Sequence, residues 1–486
     1  MLSAFPATII EARGLKTTIG GKAFDGNAFE ALKRLAQERA IHQERTGSGA
    51  PFLCGLVGFV GYECGALLEP SAKGPASPFA LPDMAFGAYD AAALFDRRAR
   101  RAFISVRNEK SAARLAEALG SRDPTHLVAF ARGPQPFLPR EAGEAATAAL
   151  RRGSRRGRSG AINAGAQLFV PPPSASRTPQ AGEEKGGEFF VDLNSNFSAD
   201  AYRRAVAGAI DMIREGRFFQ ANLAQQLHAF SPRPVEPFDI FLKIAEGDAP
   251  FAALLQYSDG AIISNSPERF FSATPSEQGV RIVAEPVKGT RARGRSVGED
   301  ERLAAELMAD PKERAENVMI ADLARNDLSR VCRDGSIREE AICELSSNGS
   351  VHHLVSRISG LLRDDLSSVD VVKALFPCGS VTGAPKVEAM KAIAGFEDRG
   401  RGPYCGAIGY IDDRGGADFS VAIRTIILER AGETTRATLP VGGGVTLRSD
   451  PQAEYQETLD KARGALAALK MPPLEKGGQG GIRSAP

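Results

Sequence analysis

Phe218-Phe-Gln-Ala-Asn-Leu-Ala-Gln-Gln-Leu-His-Ala-Phe230 alternates between two faces. Phe219, Ala221, Leu223 and Leu227 share one face, and Gln220, Asn222, Gln226 and His228 share the other. A period of two predicts a strand. Just upstream, Ser198 is placed to cap a helix with apolar positions Tyr202, Val206, Ile210 and Ile213, and Gly216 stops it. Working outward, strand signals recur at 261–273, 280–287, 404–411, 419–428 and 437–446. Helical signals fall at 301–308, 312–324, 369–375, 385–395 and 451–469. Towards the N-terminus, 55–63 reads as a Gly-punctuated buried strand and turn. Segments 91–95 and 102–106 flank a basic cluster and suggest a hairpin. Strands and helices mix without a regular βαβ beat, so the fold class is α+β with antiparallel sheet.

The chain has 486 residues, 43% hydrophobic and 25% charged, with a formal net charge of +2. That is ordinary globular composition with material for a large core, and it carries no global field for nucleic acid or membrane. No apolar stretch approaches the ~20 residues of a membrane span, and the first residues do not read as a secretory signal, so a cytoplasmic location is expected. Six cysteines without CxxC spacing argue against a disulfide framework or a structural zinc site. Residues 133–188 change character: an arginine cluster, Pro171-Pro-Pro173 and a Gly/Glu run show no hydrophobic periodicity. They read as a basic linker or insertion, expected to be disordered, between an N-terminal part (1–132) and a denser region (189–471). Without interleaved aromatics the arginines are better read as solvated than as a nucleic-acid site. Residues 472–486 read as a loose tail.

Two helices each carry an ExxE pair, Glu313/Glu316 and Glu454/Glu457. Spacing of three puts both carboxylates on one helix face, where they repel unless a cation sits between them, and Mg²⁺ prefers such hard oxygen ligands. Taken alone, ExxE is more often a solvated face. Gly379–Lys386 is a Gly-rich loop opening a helix, open to an anion but without P-loop spacing. Cys378 beside it is either a thiolate nucleophile or, more simply, a small loop residue. Gly442-Gly-Gly444 weakens a strand, which either a close-approaching ligand or a β-bulge explains. Lys288 stands at a strand end next to Gly289. Arg424 lies in an otherwise apolar strand and calls for an anionic partner if buried. Of the adjacent His352 and His353, at most one faces a site.

Taken in order, the motifs stop looking independent. They are Phe219–Leu223, Ser266-Pro-Glu-Arg-Phe270, Pro286-Val-Lys-Gly-Thr290, Lys312–Asn317 with Asp322–Leu328, His352–Ser356, Gly379–Lys386, Arg401–Gly406, Ala422–Thr425 and Gly442–Glu457. The series resembles the chorismate-utilising enzymes, which include anthranilate, aminodeoxychorismate, isochorismate and salicylate synthases. The resemblance implies one large domain of two packed antiparallel sheets flanked by helices, with the active site between them and the N-terminal part inside the same fold. It implies Mg²⁺ on Glu313, Glu316, Glu454 and Glu457, and Glu268 as general acid. It implies substrate contacts at Gln220, Thr290, His353, Tyr404, Arg424, Gly443, Gly444 and Lys461. Isochorismate and salicylate branches resemble one another in a water-activating lysine where this chain has Gln220, so ammonia is the implied nucleophile. Anthranilate synthases are similar to one another in an alanine where this chain has Lys288. The Pro-Val-Lys-Gly-Thr form resembles the aminodeoxychorismate branch, whose lysine attacks the ring covalently. The implied reaction joins chorismate and ammonia to give 4-amino-4-deoxychorismate for folate synthesis, with anthranilate formation as the alternative. No glutaminase signature is present, so the resemblance implies ammonia from a separate glutamine amidotransferase subunit.

Overall fold

The computed structural model describes residues 6–41, 54–96, 101–107, 190–246, 249–348 and 351–471, with short pieces at 2–3, 52, 111, 128–131, 167–169 and 483–484. Two large sheets form the framework, one of thirteen strands and one of twelve. Among the described residues every pairing is antiparallel except that of Val191–Ser195 with Arg483–Ser484. The first sheet centres on Gly260–Ser266, Thr425–Ala431, Thr434–Thr446 and Gln220–Ser231, in that order. The second runs through Val351–Leu361, Gly279–Ala284, Arg269–Ser276, Ala417–Val421, Ala407–Asp412 and Gly55–Val60. Residues before 107 supply strands to both sheets: Met84–Tyr89 pairs in the second and Ala91–Asp96 in the first. They are part of one fold, as the sequence implied.

The sheets pack through apolar side chains of both. Val57, Phe59 and Ile408 of the second meet Leu255, Ile262 and Ile427 of the first, all nearly inaccessible to water. Helices cover the outer faces. Ala199–Arg214, capped by the Ser198 hydroxyl on the Ala201 amide, packs Tyr202, Val206 and Ile210 with Leu459 of the Pro451–Ala468 helix. Burying one such side chain contributes about 1.5–3 kcal/mol.

Several sequence-based boundaries change. Segment 261–273 is not one strand but two, Gly260–Ser266 and Arg269–Ser276, lying in different sheets. Segment 419–428 likewise splits into Ala417–Val421 and Thr425–Ala431. The chain therefore crosses between the sheets at Pro267–Glu268 and again, alongside, at Ala422–Arg424. The crossings are tied by Val421 N–H to Glu268 O at 3.1 Å and by Asn265 N–H to Arg424 O at 3.2 Å. Continuous apolar character hid both crossings, because each half is buried in its own sheet. The long hairpin Arg338–Asn348/Val351–Leu361 had no counterpart in the sequence reading, since charged and hydroxyl residues interrupt its alternation. Within the segment read as a linker, Gln167–Phe169 is a strand on Arg101–Val106. The rest of 133–188 lies outside the described residues.

Candidate active site

The glycine strand Thr434–Thr446 settles one open alternative. It pairs residue by residue with Gln220–Ser231, with no register shift, so its glycines do not make a bulge. They make room. A Cβ on Gly443 would lie 2.9 Å from Glu454 Oε2, and one on Gly444 would lie 2.4 Å from Gln220 Nε2 and 3.5 Å from Lys288 Nζ. Because the atoms met are ends of side chains, a methyl at Gly444 leaves the fold intact and fills the cleft. Gly444→Ala is expected to lower kcat/KM for chorismate at least ~tenfold with the melting temperature unchanged, as checked by kinetics beside thermal denaturation.

Glu313 and Glu316 lie on the Pro311–Ser329 helix and Glu454 and Glu457 on the Pro451–Ala468 helix, near enough for the charge of Glu457 to act on Glu316. Burial, with the charges of Glu313 and Glu457, raises the Glu316 pKa. Burial and Glu457 raise that of Glu454, opposed by the Ser449 hydroxyl that donates to Glu454 Oε1 at 2.6 Å. Glu457 is also desolvated, yet Lys461, 2.7 Å away, with Lys288 and Lys312, brings its net pKa down. Lys312 stands 3.9 Å from Glu316 and Arg291 3.7 Å from Glu313. Among the described residues no three His, Cys, Asp or Glu side chains converge tightly enough to hold an ion as they stand. Lysines and an arginine therefore supply part of the positive charge that the sequence reading gave wholly to a cation. The donor set still fits a hard divalent ion: all oxygen, with Glu316 Oε1 buried and without a hydrogen-bond partner.

Above this floor stands Lys288, on the strand Val287–Ala292. Its Nζ donates to Ser380 O at 3.1 Å. Glu268, 4% exposed at the first crossing, has its pKa pushed up to about 7 by burial, against the Ser380 hydroxyl, the Lys288 charge and the Val287 amide. It is thus a carboxylic acid able to hold a proton near neutrality. At the second crossing Arg424 has φ of 52° and no ion-pair partner among the described residues. Arg424 is exposed as a residue, yet the protein around its guanidinium desolvates it and lowers its pKa. It does not lie in a strand, contrary to the sequence reading. His353 Nδ1 meets Thr290 Oγ1 at 3.1 Å and Gly289 O at 3.2 Å, and burial, aided by the Arg424 charge, lowers its pKa. His352 instead meets Ser347 and Asp300, so one histidine of the pair joins the site. Lys461 donates to Gly442 O at 2.9 Å, fastening the Pro451–Ala468 helix to the glycine strand.

Tyr404 fits least well. Its buried hydroxyl has Cys405, Arg401 and Glu397 as its nearby titratable groups, though the loop meets the crossing through Cys405 N–H to Ala422 O at 2.9 Å. The Gly379–Lys386 loop is no anion cradle. Lys386 is clamped by Asp327 Oδ2 and Leu375 O, both at 2.7 Å, and Gly383–Ala384 pairs with the start of the Gln220 strand. Cys378 is no thiolate, since burial and Glu268 push its pKa up to about 12. Sequence reasoning missed Ser380, Lys312 and Ser449. Only Lys312 carried a signal, its place four residues before Glu316.

A fold of two sheets with a cleft that combines an acidic floor, cationic side chains and a buried acid defines an enzyme for a small anionic substrate. A family model described as chorismate binding enzyme matches residues 6–467, and the chain belongs to that family and acts on chorismate. It is 33% identical over 485 residues to anthranilate synthase component 1 of Synechocystis sp., covering 96% of this chain and 87% of that protein. It is 32% identical over 436 residues to aminodeoxychorismate synthase component 1 of Escherichia coli, covering 90% and 80%. Among solved structures, anthranilate synthase component I from Streptococcus pneumoniae superposes with a TM-score of 0.72 at 27% identity, covering 96% of this chain and 92% of that one. No helix among the described residues is long and apolar enough to cross a membrane.

Proposed function

We propose that the chain is an aminodeoxychorismate synthase component I, joining chorismate and ammonia to give 4-amino-4-deoxychorismate for p-aminobenzoate and folate synthesis. The carrying observation is Lys288, which reaches the cleft within the space above Gly444 and neighbours Glu268 and Glu316. Glu313, Glu316, Glu454 and Glu457 would hold Mg²⁺, which supplies positive charge for the ring carboxylate of chorismate. Arg424 and Lys461 orient the substrate's anionic groups, and the Thr290–His353 pair fixes the wall beside them. Once its ammonium proton has passed to water, the Lys288 amine forms a bond at ring carbon 2 while the bond from carbon 4 to the hydroxyl breaks, and Glu268 gives that oxygen its proton. Ammonia then adds at carbon 4, the bond to Lys288 breaks, and the surplus nitrogen proton returns to Glu268. Gln220 is a neutral amide and no base, which leaves water unactivated.

The second reading is anthranilate synthase component I, supported by the 33% relative. One assay separates them: purified protein with chorismate, Mg²⁺ and ammonium, the product identified by mass and fluorescence. Aminodeoxychorismate is expected, and anthranilate would refute the first reading. Chelation of divalent metal is expected to abolish turnover, and glutamine to replace ammonium only when an amidotransferase subunit is added.

A further inference from the structure

The buried side of the Pro311–Ser329 helix consists of Asn317, Ile320, Ala321, Asp327 and Leu328. Asp327 has Lys386 for a partner, and three of the others are apolar. That leaves an amide, Asn317, where an apolar side chain would pack as well. Asparagine is a weak helix former, and a buried amide needs partners for both of its ends. Asn317 is 0% exposed, and its side chain bonds to another element altogether. Its Nδ2 donates to Leu354 O at 2.9 Å. Its Oδ1 accepts from the Ser356 hydroxyl, and the Cys343 thiol stands 3.6 Å from the same oxygen. Ser356 is equally buried and reaches further. Its hydroxyl oxygen accepts from Cys343 N–H at 3.0 Å, and its own N–H donates to Pro286 O at 3.1 Å.

The Asn317–Ser356 pair thus joins elements that carry site residues. Asn317 follows Glu316 and lies about one turn after Glu313. Leu354 follows His353 and stands opposite Lys288 in the ladder between Val351–Leu361 and Val287–Ala292. Pro286 lies two residues before Lys288. Apolar contacts are non-directional, whereas hydrogen bonds restrict both distance and angle. The pair therefore fixes the rotation and height of the helix against the two strands, which its apolar neighbours alone would not. The hairpin is bent to serve it. Register breaks between Ala341 and Glu344, and Cys343 takes φ of 53°, a left-handed conformation uncommon outside glycine. That bulge aims the Cys343 N–H at Ser356 and its thiol at Asn317.

We infer that Asn317 and Ser356 are positioning residues, which hold the carboxylates of Glu313 and Glu316 in fixed relation to Lys288 and His353 and so set the affinity for a divalent ion. The inference rests on the reading of Glu313, Glu316, Glu454 and Glu457 as the seat of that ion. Neither residue is itself a ligand; both act through the helix that presents two of the ligands.

The test titrates the purified full chain with Mn²⁺, following the paramagnetic resonance of the free ion, with chorismate present and ammonium absent. Ser356→Ala removes one hydroxyl, and Asn317→Leu replaces the amide by an apolar group of similar size. Each is expected to weaken Mn²⁺ binding about tenfold. In steady state the apparent KM for Mg²⁺ should rise by the same factor, with KM for chorismate at saturating Mg²⁺ within about threefold of wild type. Leu328→Ala, on the same buried side about three turns further on, is the control for lost packing, and Ile320→Val is its milder counterpart. Both controls are expected to lower the melting temperature and keep wild-type Mn²⁺ affinity. Ser356→Ala or Asn317→Leu protein that folds and binds Mn²⁺ like wild type would overturn the inference. So would a control that loses as much affinity as these variants. If one of the two variants does not fold, the other carries the test. Wild-type protein that binds no Mn²⁺ defeats the reading of the four carboxylates instead.

Discussion

Lys288→Ala is expected to cut chorismate turnover by at least ~10³-fold while KM for chorismate changes by less than about threefold. A covalent nucleophile acts only in the chemical step, so its loss falls on kcat. The surroundings favour that reading over a purely electrostatic lysine. Glu457 already has Lys461 beside it, so Lys288 is not needed to neutralise that carboxylate, although Lys288 outweighs Lys312 as a counter-charge to Glu316. Its Nζ is instead fixed by one carbonyl, Ser380 O, and faces the space that the absent Gly444 side chain leaves. Lys288→Arg keeps the charge but loses a nucleophilic amine, so it is expected to fail as fully as the alanine variant. Steady-state kinetics on both variants, with product identified by mass, checks this. An arginine variant that restores turnover would reassign Lys288 to charge stabilisation.

The sequence reading was most dependable where one local pattern answers one physical demand. The Ser198-capped helix and the alternating Gln220 strand came out within two residues of their observed ends. The ExxE spacing placed each pair on one helix face, and the glycine run marked a backbone that must stay bare. What failed to show was long-range pairing. Nothing local tells that Pro267–Glu268 and Ala422–Arg424 each carry the chain from one sheet to the other, because both flanking strands are equally apolar. Yet those crossings are why Glu268 and Arg424 face the cleft and not a sheet neighbour. Ser380 was invisible for a similar reason, since its carbonyl meets Lys288 from far along the chain, while Ser449 acts on nearby Glu454 through one hydroxyl that no local pattern singles out. Lys312 and Lys461 each stand four residues from a carboxylate of their own helix, so those counter-charges were legible as spacing, whereas that of Lys288, on a separate strand, was not.

Glu268→Gln is expected to separate activity from stability. In the wild type, burial lifts the Glu268 pKa from 4.5 to about 7, so the group is protonated at mildly acid pH and loses its proton as pH rises. The acid limb of catalysis should therefore hold below about pH 7 and fall tenfold per unit well above it. Glu268→Gln cannot donate a proton and should be ~10²–10⁴-fold slower, without that limb. Stability runs with the same proton. The folded chain holds it more tightly than the unfolded chain, whose carboxyl titrates near 4.5, so the contribution is whole below that value and is lost as pH rises through about 7. A difference of that size corresponds to roughly 3 kcal/mol at most, since each unit is about 1.4 kcal/mol. Glutamine keeps the neutral, hydrogen-bonded form at every pH. The variant is therefore expected to match wild type in melting temperature at mildly acid pH and to exceed it by about 2–3 °C well above pH 7. Thermal denaturation across the range, paired with kcat on the same samples, reads both. A Glu268→Gln protein that melts below wild type at alkaline pH would show that the acid is held by its hydrogen bonds as a carboxylate, and would remove Glu268 as proton donor.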